Sequence, residues 1–171
     1  CTGNTPSCAE GVCVPRCHAI EFTATDARME APSTGWNLGT SDLTLELWLR
    51  VHGTFGGALE GAILRLDGGV TVAFDGTSPP ARLVVQLLTY PVVERLEASV
   101  SYPTDGAWHH AAFVRVGPEL TVWLDGKKSK TVTGAEIALT RTTSPLFLGA
   151  KTPLEDFAAP ISMGPLRLSK V

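Results

Sequence analysis

Four cysteines crowd the start of the chain as Cys1-x6-Cys8-x4-Cys13-x3-Cys17, and none occurs after them. The Gly, Pro, Asn and Ser residues between them cannot bury a core, so order in this segment must come from covalent links. Disulfides persist in oxidising compartments, which predicts two of them and an exported protein. Three connectivities are open. Zinc is the rival reading, but structural zinc favours short C-x2-4-C knuckles in two separated pairs, and this spacing matches poorly.

Histidines and acids are the next residues that could do chemistry. His18, His52, His109 and His110 form neither an H-E-x-x-H helix nor an H-x-H strand pattern that would gather a metal. His109 and His110 are adjacent, so on a strand they face opposite ways and cannot chelate one ion together. Their structural reading is a strand in which Trp108 packs and one imidazole bonds to backbone. Glycoside hydrolysis needs two carboxyl groups about 5 to 10 Å apart. Glu94 and Glu97 point to opposite sides of a strand, and Asp42 and Glu46, on one side, lie roughly 13 Å apart. The E-x-D-x-x-E and G-x-S-x-G signatures are both absent. No catalytic residue is assigned, and the chain reads as a non-enzyme.

Surface recognition remains. Sugars stack their apolar face on aromatic rings while Asn, Asp or Arg holds the hydroxyls. Trp36 sits in the loop Gly35-Trp36-Asn37, and Trp48 and Trp123 fall on the non-core side of alternating runs. Trp36, Asn37 and Trp123 are therefore the candidate carbohydrate-binding residues, since amphipathic aromatics at surfaces favour binding.

Short strands must position these groups. Asp42 to Val51 alternates Leu43, Leu45, Leu47, Leu49 and Val51 against Thr44, Glu46, Trp48 and Arg50, the pattern of a strand with one buried face. Further strands are read at His18 to Phe22, Arg28 to Ala31, Ala62 to Leu66, Val70 to Phe74, Arg82 to Leu88, Val92 to Val100, Trp108 to Val116, Leu120 to Leu124, Leu146 to Leu148 and Leu166 to Leu168. Asp67-Gly68, Asp75-Gly76, Asp105-Gly106 and Asp125-Gly126 punctuate them as turns, the last an I′-type reversal. No long helix is read. Many short strands without helical crossovers imply an all-β, antiparallel two-sheet sandwich, because each sheet must bury one face on the other.

Composition bounds the rest. A chain of 171 residues suits one sandwich domain, because all-β folds of this size stay undivided. We place a Cys-rich segment at residues 1–18 and the sandwich at 19–171. A net charge of -3, with one short cluster at Lys127, Lys128 and Lys130, offers no field suited to nucleic acid. The most apolar stretch, Ala81 to Val93, is interrupted by Arg82, Gln86 and Pro91 and is shorter than the roughly 20 residues of a transmembrane helix.

The run Trp108-His109-His110-Ala111-Ala112, followed by Leu120-Thr121-Val122-Trp123-Leu124-Asp125-Gly126-Lys127, resembles the laminin-G-like and pentraxin-like domains of the concanavalin A-like superfamily. Asp42 to Leu49 is similar to that family's F-T-x-S-x-W-V strand, Pro145-Leu146-Phe147-Leu148-Gly149 to its L-x-L-G strand, and Leu166-Arg167-Leu168-Ser169-Lys170-Val171 to its V-R-I-S-K-V strand. The resemblance covers nearly all of Ala19 to Val171. It implies a jelly roll, with the Trp matching Trp48 packed under a loop, and Ca²⁺ at a loop rim. Rim carboxylates here are Asp67, Asp75, Asp105, Asp125, Glu155 and Asp156, four of which precede Gly as turns require. The family's acidic pair before the last strand is replaced by Gly164 and Pro165, so no role for that pair carries over. Cys1 is similar to the lipid-modified first residue of bacterial lipoproteins, or is the cut edge of a longer Cys-rich segment.

These readings converge on a secreted or cell-surface module of bacterial type, part of a larger exported protein or a lipoprotein. It would bind a glycan or a cell-surface protein in adhesion. A structural spacer between domains is the first rival, and a polysaccharide-degrading enzyme of the same fold is the second.

Overall fold

Leu43, Leu45, Leu47, Leu49 and Val51 alternate along one strand, and each is at most 2% exposed. Fully burying such a side chain contributes about 1.5–3 kcal/mol, so this row alone fixes which face of the strand turns inward. The computed structural model describes residues 7–9, 12–14, 19–22, 28–32, 38–52, 61–66, 69–75, 80–89, 94–139, 145–149 and 161–170. Among them every regular element is a strand: β1 (Ser7–Ala9), β2 (Val12–Val14), β3 (Ile20–Phe22), β4 (Arg28–Ala31), β5 (Leu43–Val51), β6 (Gly61–Leu66), β7 (Val70–Asp75), β8 (Arg82–Leu88), β9 (Arg95–Ser101), β10 (Trp108–Val116), β11 (Glu119–Leu124), β12 (Lys127–Thr133), β13 (Leu146–Gly149) and β14 (Ile161–Lys170). None of the described residues forms a helix long and apolar enough to cross a membrane.

Two six-stranded sheets stack on each other. The first has the order β12-β11-β10-β5-β14-β3 and the second β4-β13-β6-β7-β8-β9, and their pairings are antiparallel throughout. Leu45, Leu47, Phe113, Leu120 and Val122 from the first sheet meet Ile63, Val72, Phe74, Leu83 and Val85 from the second in one core. Arg115 closes this core at one end. It is 1% exposed, and its guanidinium donates to the carbonyls of Ile137 at 2.8 Å, Gly39 at 3.2 Å and Ser41. A buried charge is tolerable only when its donors find acceptors in this way.

Two tight turns organise the β10-β11-β12 meander. Gly117, at φ 53°, followed by Pro118 is the glycine-first pattern of a II′ turn. Asp125 and Gly126, at φ 50° and 73°, give the expected I′ turn, whose twist matches that of the strands it joins.

Differences from the sequence reading are local. β12, Lys127–Thr133, lies outside the expected strands because an exposed, lysine-rich edge strand carries no apolar alternation. β14 extends back to Ile161, across Gly164 and Pro165, where a bulge between Met163 and Leu166 shifts its register on β5. The N-terminal segment contains a small hairpin in which Cys8 and Cys13 occupy opposed backbone positions. Cys1 and Cys17 lie outside the described residues.

Candidate functional site

The outward face of the first sheet follows from the same alternation that buries the leucines. On β5 it carries Glu46, Trp48 and Arg50, because Leu45, Leu47, Leu49 and Val51 point inward. Register then decides what meets them: Trp48 lies opposite His110, Arg50 opposite Trp108, and Glu46 opposite Ala112. Ala112 in turn lies opposite Trp123 of β11. Three of the four tryptophans, Trp48, Trp108 and Trp123, thus share one side of one sheet. Trp123 lies across the small Ala112 from Glu46, and Trp48 is two residues further along β5, so the two indoles sit two strands apart on a diagonal.

Trp48 is 43% exposed, in contrast to the packing under a loop that the family resemblance implies. It leans on His110, with ring centroids 5.1 Å apart and planes at 44°. The His110 Nε2 is 3.8 Å from Glu46 Oε1. Gly164 of β14 passes close by: a Cβ there would stand 2.9 Å from Trp48 Cβ and 3.6 Å from Trp108 Cζ3. Only a residue without a side chain fits. The face therefore offers indole and imidazole rings interleaved with a carboxylate and a guanidinium, the mixture that stacks a sugar ring and holds its hydroxyls.

His109 belongs to a different cluster, at the rim of the core. Its Nδ1 is 2.7 Å from Asp125 Oδ2 and its Nε2 3.0 Å from Asp105 Oδ1, so it binds side chains and not the backbone that the sequence reading assigned to one histidine of the pair. Asp125 Oδ1 also accepts the His110 N–H at 2.9 Å. Tyr102 packs edge-on against His109 at 5.7 Å and donates to the Leu49 carbonyl at 3.0 Å. Burial pushes the Tyr102 phenol far up, with Asp125 and Asp105 adding to the effect.

Of the expected carbohydrate residues, Trp123 lies on the aromatic face, whereas Trp36 and Asn37 fall outside the described residues. Trp108, His110, Arg50 and Gly164 were not read as site residues. Alternation could have put them on outward faces, but their adjacency is a matter of strand register.

The acids are separated by role. Glu97 is bound by Gln86 and Arg95 on the second sheet, Asp42 accepts the Gly117 N–H at 2.8 Å, and Glu46 lies on the aromatic face. Among the described residues no three His, Cys, Asp or Glu side chains gather to hold a metal. Asp105 and Asp125 are brought together by His109, and a cation between them would meet a proton donor. A rim Ca²⁺ would thus have to draw on Asp67, Glu155 and Asp156, which fall outside the described residues, to reach its six to eight oxygens.

A family model described as the concanavalin A-like lectin/glucanases superfamily, of laminin G type, matches residues 23–162. No curated protein matches. Among solved structures, domains LG4-5 of the mouse laminin alpha1 chain superpose with a TM-score of 0.62 at 18% identity, covering 98% of this chain and 44% of that one. The binding domain of paraclostridial mosquitocidal protein 1 gives 0.61 at 13% identity, covering 90% and 44%. The binding domain of botulinum neurotoxin DC in complex with SialylT gives 0.57 at 10% identity, covering 93% and 44%. The chain spans less than half the length of these chains, and at such identities the likeness is one of fold.

Proposed function

The chain belongs to the laminin-G-type branch of the concanavalin A-like lectin/glucanase superfamily, and from that premise we propose that it is a non-catalytic extracellular module that recognises carbohydrate on a cell surface. The observation that carries this reading is the set of Trp48, Trp108, Trp123 and His110 on one side of the first sheet, with Trp48 43% exposed and the other three half-buried. A large apolar ring left in water beside polar neighbours is what a stacking platform requires, and monomeric proteins leave few such patches unused. One further fact supports it: the toxin neighbours are named as binding domains.

The same reading takes residues 1–18 as a Cys-rich segment ahead of the sandwich at 19–171, closed by two disulfides among Cys1, Cys8, Cys13 and Cys17. The opposed backbone positions of Cys8 and Cys13 favour a bridge there. Such bridges suit export. Ca²⁺ at the rim, and a sugar contact from Trp36 and Asn37, belong to the same proposal.

A glycan array probed with the wild type and with Trp48→Ala, Trp123→Ala and Trp36→Ala tests it. Binding to at least one glycan class is expected, weakened about tenfold, or about 1.4 kcal/mol, by each of the first two substitutions. Silence across the array would overturn sugar recognition in favour of a protein-binding or spacer role. Binding unchanged in both face variants but lost in Trp36→Ala would move the site to the loop.

A further inference from the structure

We propose that the Cys-rich N-terminal segment, residues 1–18, folds back over the flank of the sandwich formed by β3, β14 and β4, covering Ile20, Met29 and the free edge of β14. The occupant of this flank is a part of the chain itself, and not a ligand or a second copy.

The two flanks of the sandwich differ. On one, the sheets close against each other: a Cβ on Gly134, just after β12, would stand 2.8 Å from Leu96 Cδ1 of β9. The other flank is open. β3 pairs with β14 only from Ile161 to Met163, so β14 runs on to Lys170 with β5 on one side and, among the described residues, no strand on the other. Its Leu166 and Leu168 are half-buried against the core. Period two puts Ile20 on the inward side with Phe22, and Met29 on the inward side with Ala31, yet Ile20 is 37% and Met29 45% exposed. An unpaired edge beside uncovered, core-facing side chains is a template for association, and folded proteins cover such edges.

The course of the chain identifies the cover. β3 is antiparallel to β14, with Phe22 opposite Ile161 and Ile20 opposite Met163. Each step back from Ile20 therefore advances along β14 towards Lys170, so residues 1–18 enter from the uncovered side. Six steps separate Val14, the end of β2, from Ile20, at most roughly 22 Å of chain, and Gly164 to Lys170 extends roughly 20 Å. The hairpin of β1 and β2 is thus tethered within reach of the whole free edge, and β2 brings Val12 and Val14 to it. No small molecule fits instead: the crevice where Leu45, Leu166 and Leu168 face Leu64, Leu66 and Leu146 has a volume of about 10 Å³, barely room for one water.

Peroxide oxidation of the full chain, read by peptide mass spectrometry, tests the assignment. Met29 and Met163 are the two methionines, and Met163, 1% exposed, reports whether the core is intact. In dilute, monomeric wild type, Met29 is expected to form its sulfoxide severalfold more slowly than free methionine. Val12→Asp with Val14→Asp, which puts charge into the docking hairpin, should bring Met29 to the rate of an exposed methionine while Met163 stays slow. Val12→Ser with Val14→Ser repeats the test should the charges disturb the fold. Fast oxidation of Met29 in the wild type would overturn the proposal without recourse to a variant. Protection that both double variants leave in place would overturn it too, since the cover would then come from elsewhere in the chain. Protection that grows with protein concentration, alongside dimers in sedimentation, would assign the flank to a second copy instead.

Discussion

His109 Nδ1 lies 2.7 Å from Asp125 Oδ2, while the other nitrogen of the same imidazole reaches Asp105 at 3.0 Å. Ionised carboxylates only accept hydrogen bonds, so both ring nitrogens must donate and the imidazole must be protonated. One side chain thereby ties the loop before β10 to the turn between β11 and β12. Desolvation lowers the pKa of His109, but the hydrogen bonds from Asp125 and Asp105 outweigh it and hold the pKa above its ordinary 6.5. The bond from His109 is in turn the main reason that Asp105 and Asp125 sit below the usual 3.8.

The sign of the pH dependence follows. A raised histidine stabilises the fold fully below its unfolded pKa and loses that contribution as pH rises through the folded one. Lowered carboxylates contribute above their unfolded pKa and lose it in acid. The clamp is strongest between 3.8 and 6.5. Thermal melts of the wild type should drop by about 2–4 °C from mildly acidic to mildly alkaline buffer, a modest shift for a domain of this size. His109→Gln should flatten that limb. Parallel losses in both proteins would show that another group titrates.

Arg115 carries a larger effect. Removing it leaves the carbonyls of Ser41 and Ile137 without their guanidinium donor at a position that is 1% exposed, while the Gly39 carbonyl keeps the Leu139 N–H at 2.9 Å. Burial lowers the pKa of this guanidinium, with Asp42 and Glu136 opposing the shift. Arg115→Leu should cost about 1–3 kcal/mol for each carbonyl left unsatisfied. Urea unfolding would read this as a lowered midpoint with an unchanged slope. A change under about 1 kcal/mol would mean that water satisfies the carbonyls.

Gly164 connects stability to recognition. A methyl group there would stand 2.9 Å from Trp48 Cβ, and a Cβ cannot swing away as the end of a long side chain can. Gly164→Ala should cost about 1–3 kcal/mol, as overpacking does, and should weaken glycan binding by displacing the indole. A variant with intact affinity would show that the position of Trp48 is not critical.

Legibility in the sequence varies with the residue. The alternation in β5 and β11 marks both strands and assigns Trp48 and Trp123 to the outside, and Asp125-Gly126 marks its turn, because period two and positive φ are local properties. β12 was not legible: Lys127-Lys128-Ser129-Lys130 has no apolar rhythm and is a strand only through its ladder with β11. The tie from His109 to Asp125 depends on hairpin register, and so does the meeting of Trp48 with His110 or of Arg50 with Trp108. Alternation gives a face to each residue, but a register assigns its neighbours.

The most direct test of the recognition surface is a titration of isotopically labelled protein with a bound glycan, followed through the indole N–H resonances. We expect those of Trp48, Trp108 and Trp123 to shift together with the amides of Ala112 and Gly164, while amides around Arg115 stay in place. Shifts confined to other loops, with these three indoles unmoved, would contradict the account.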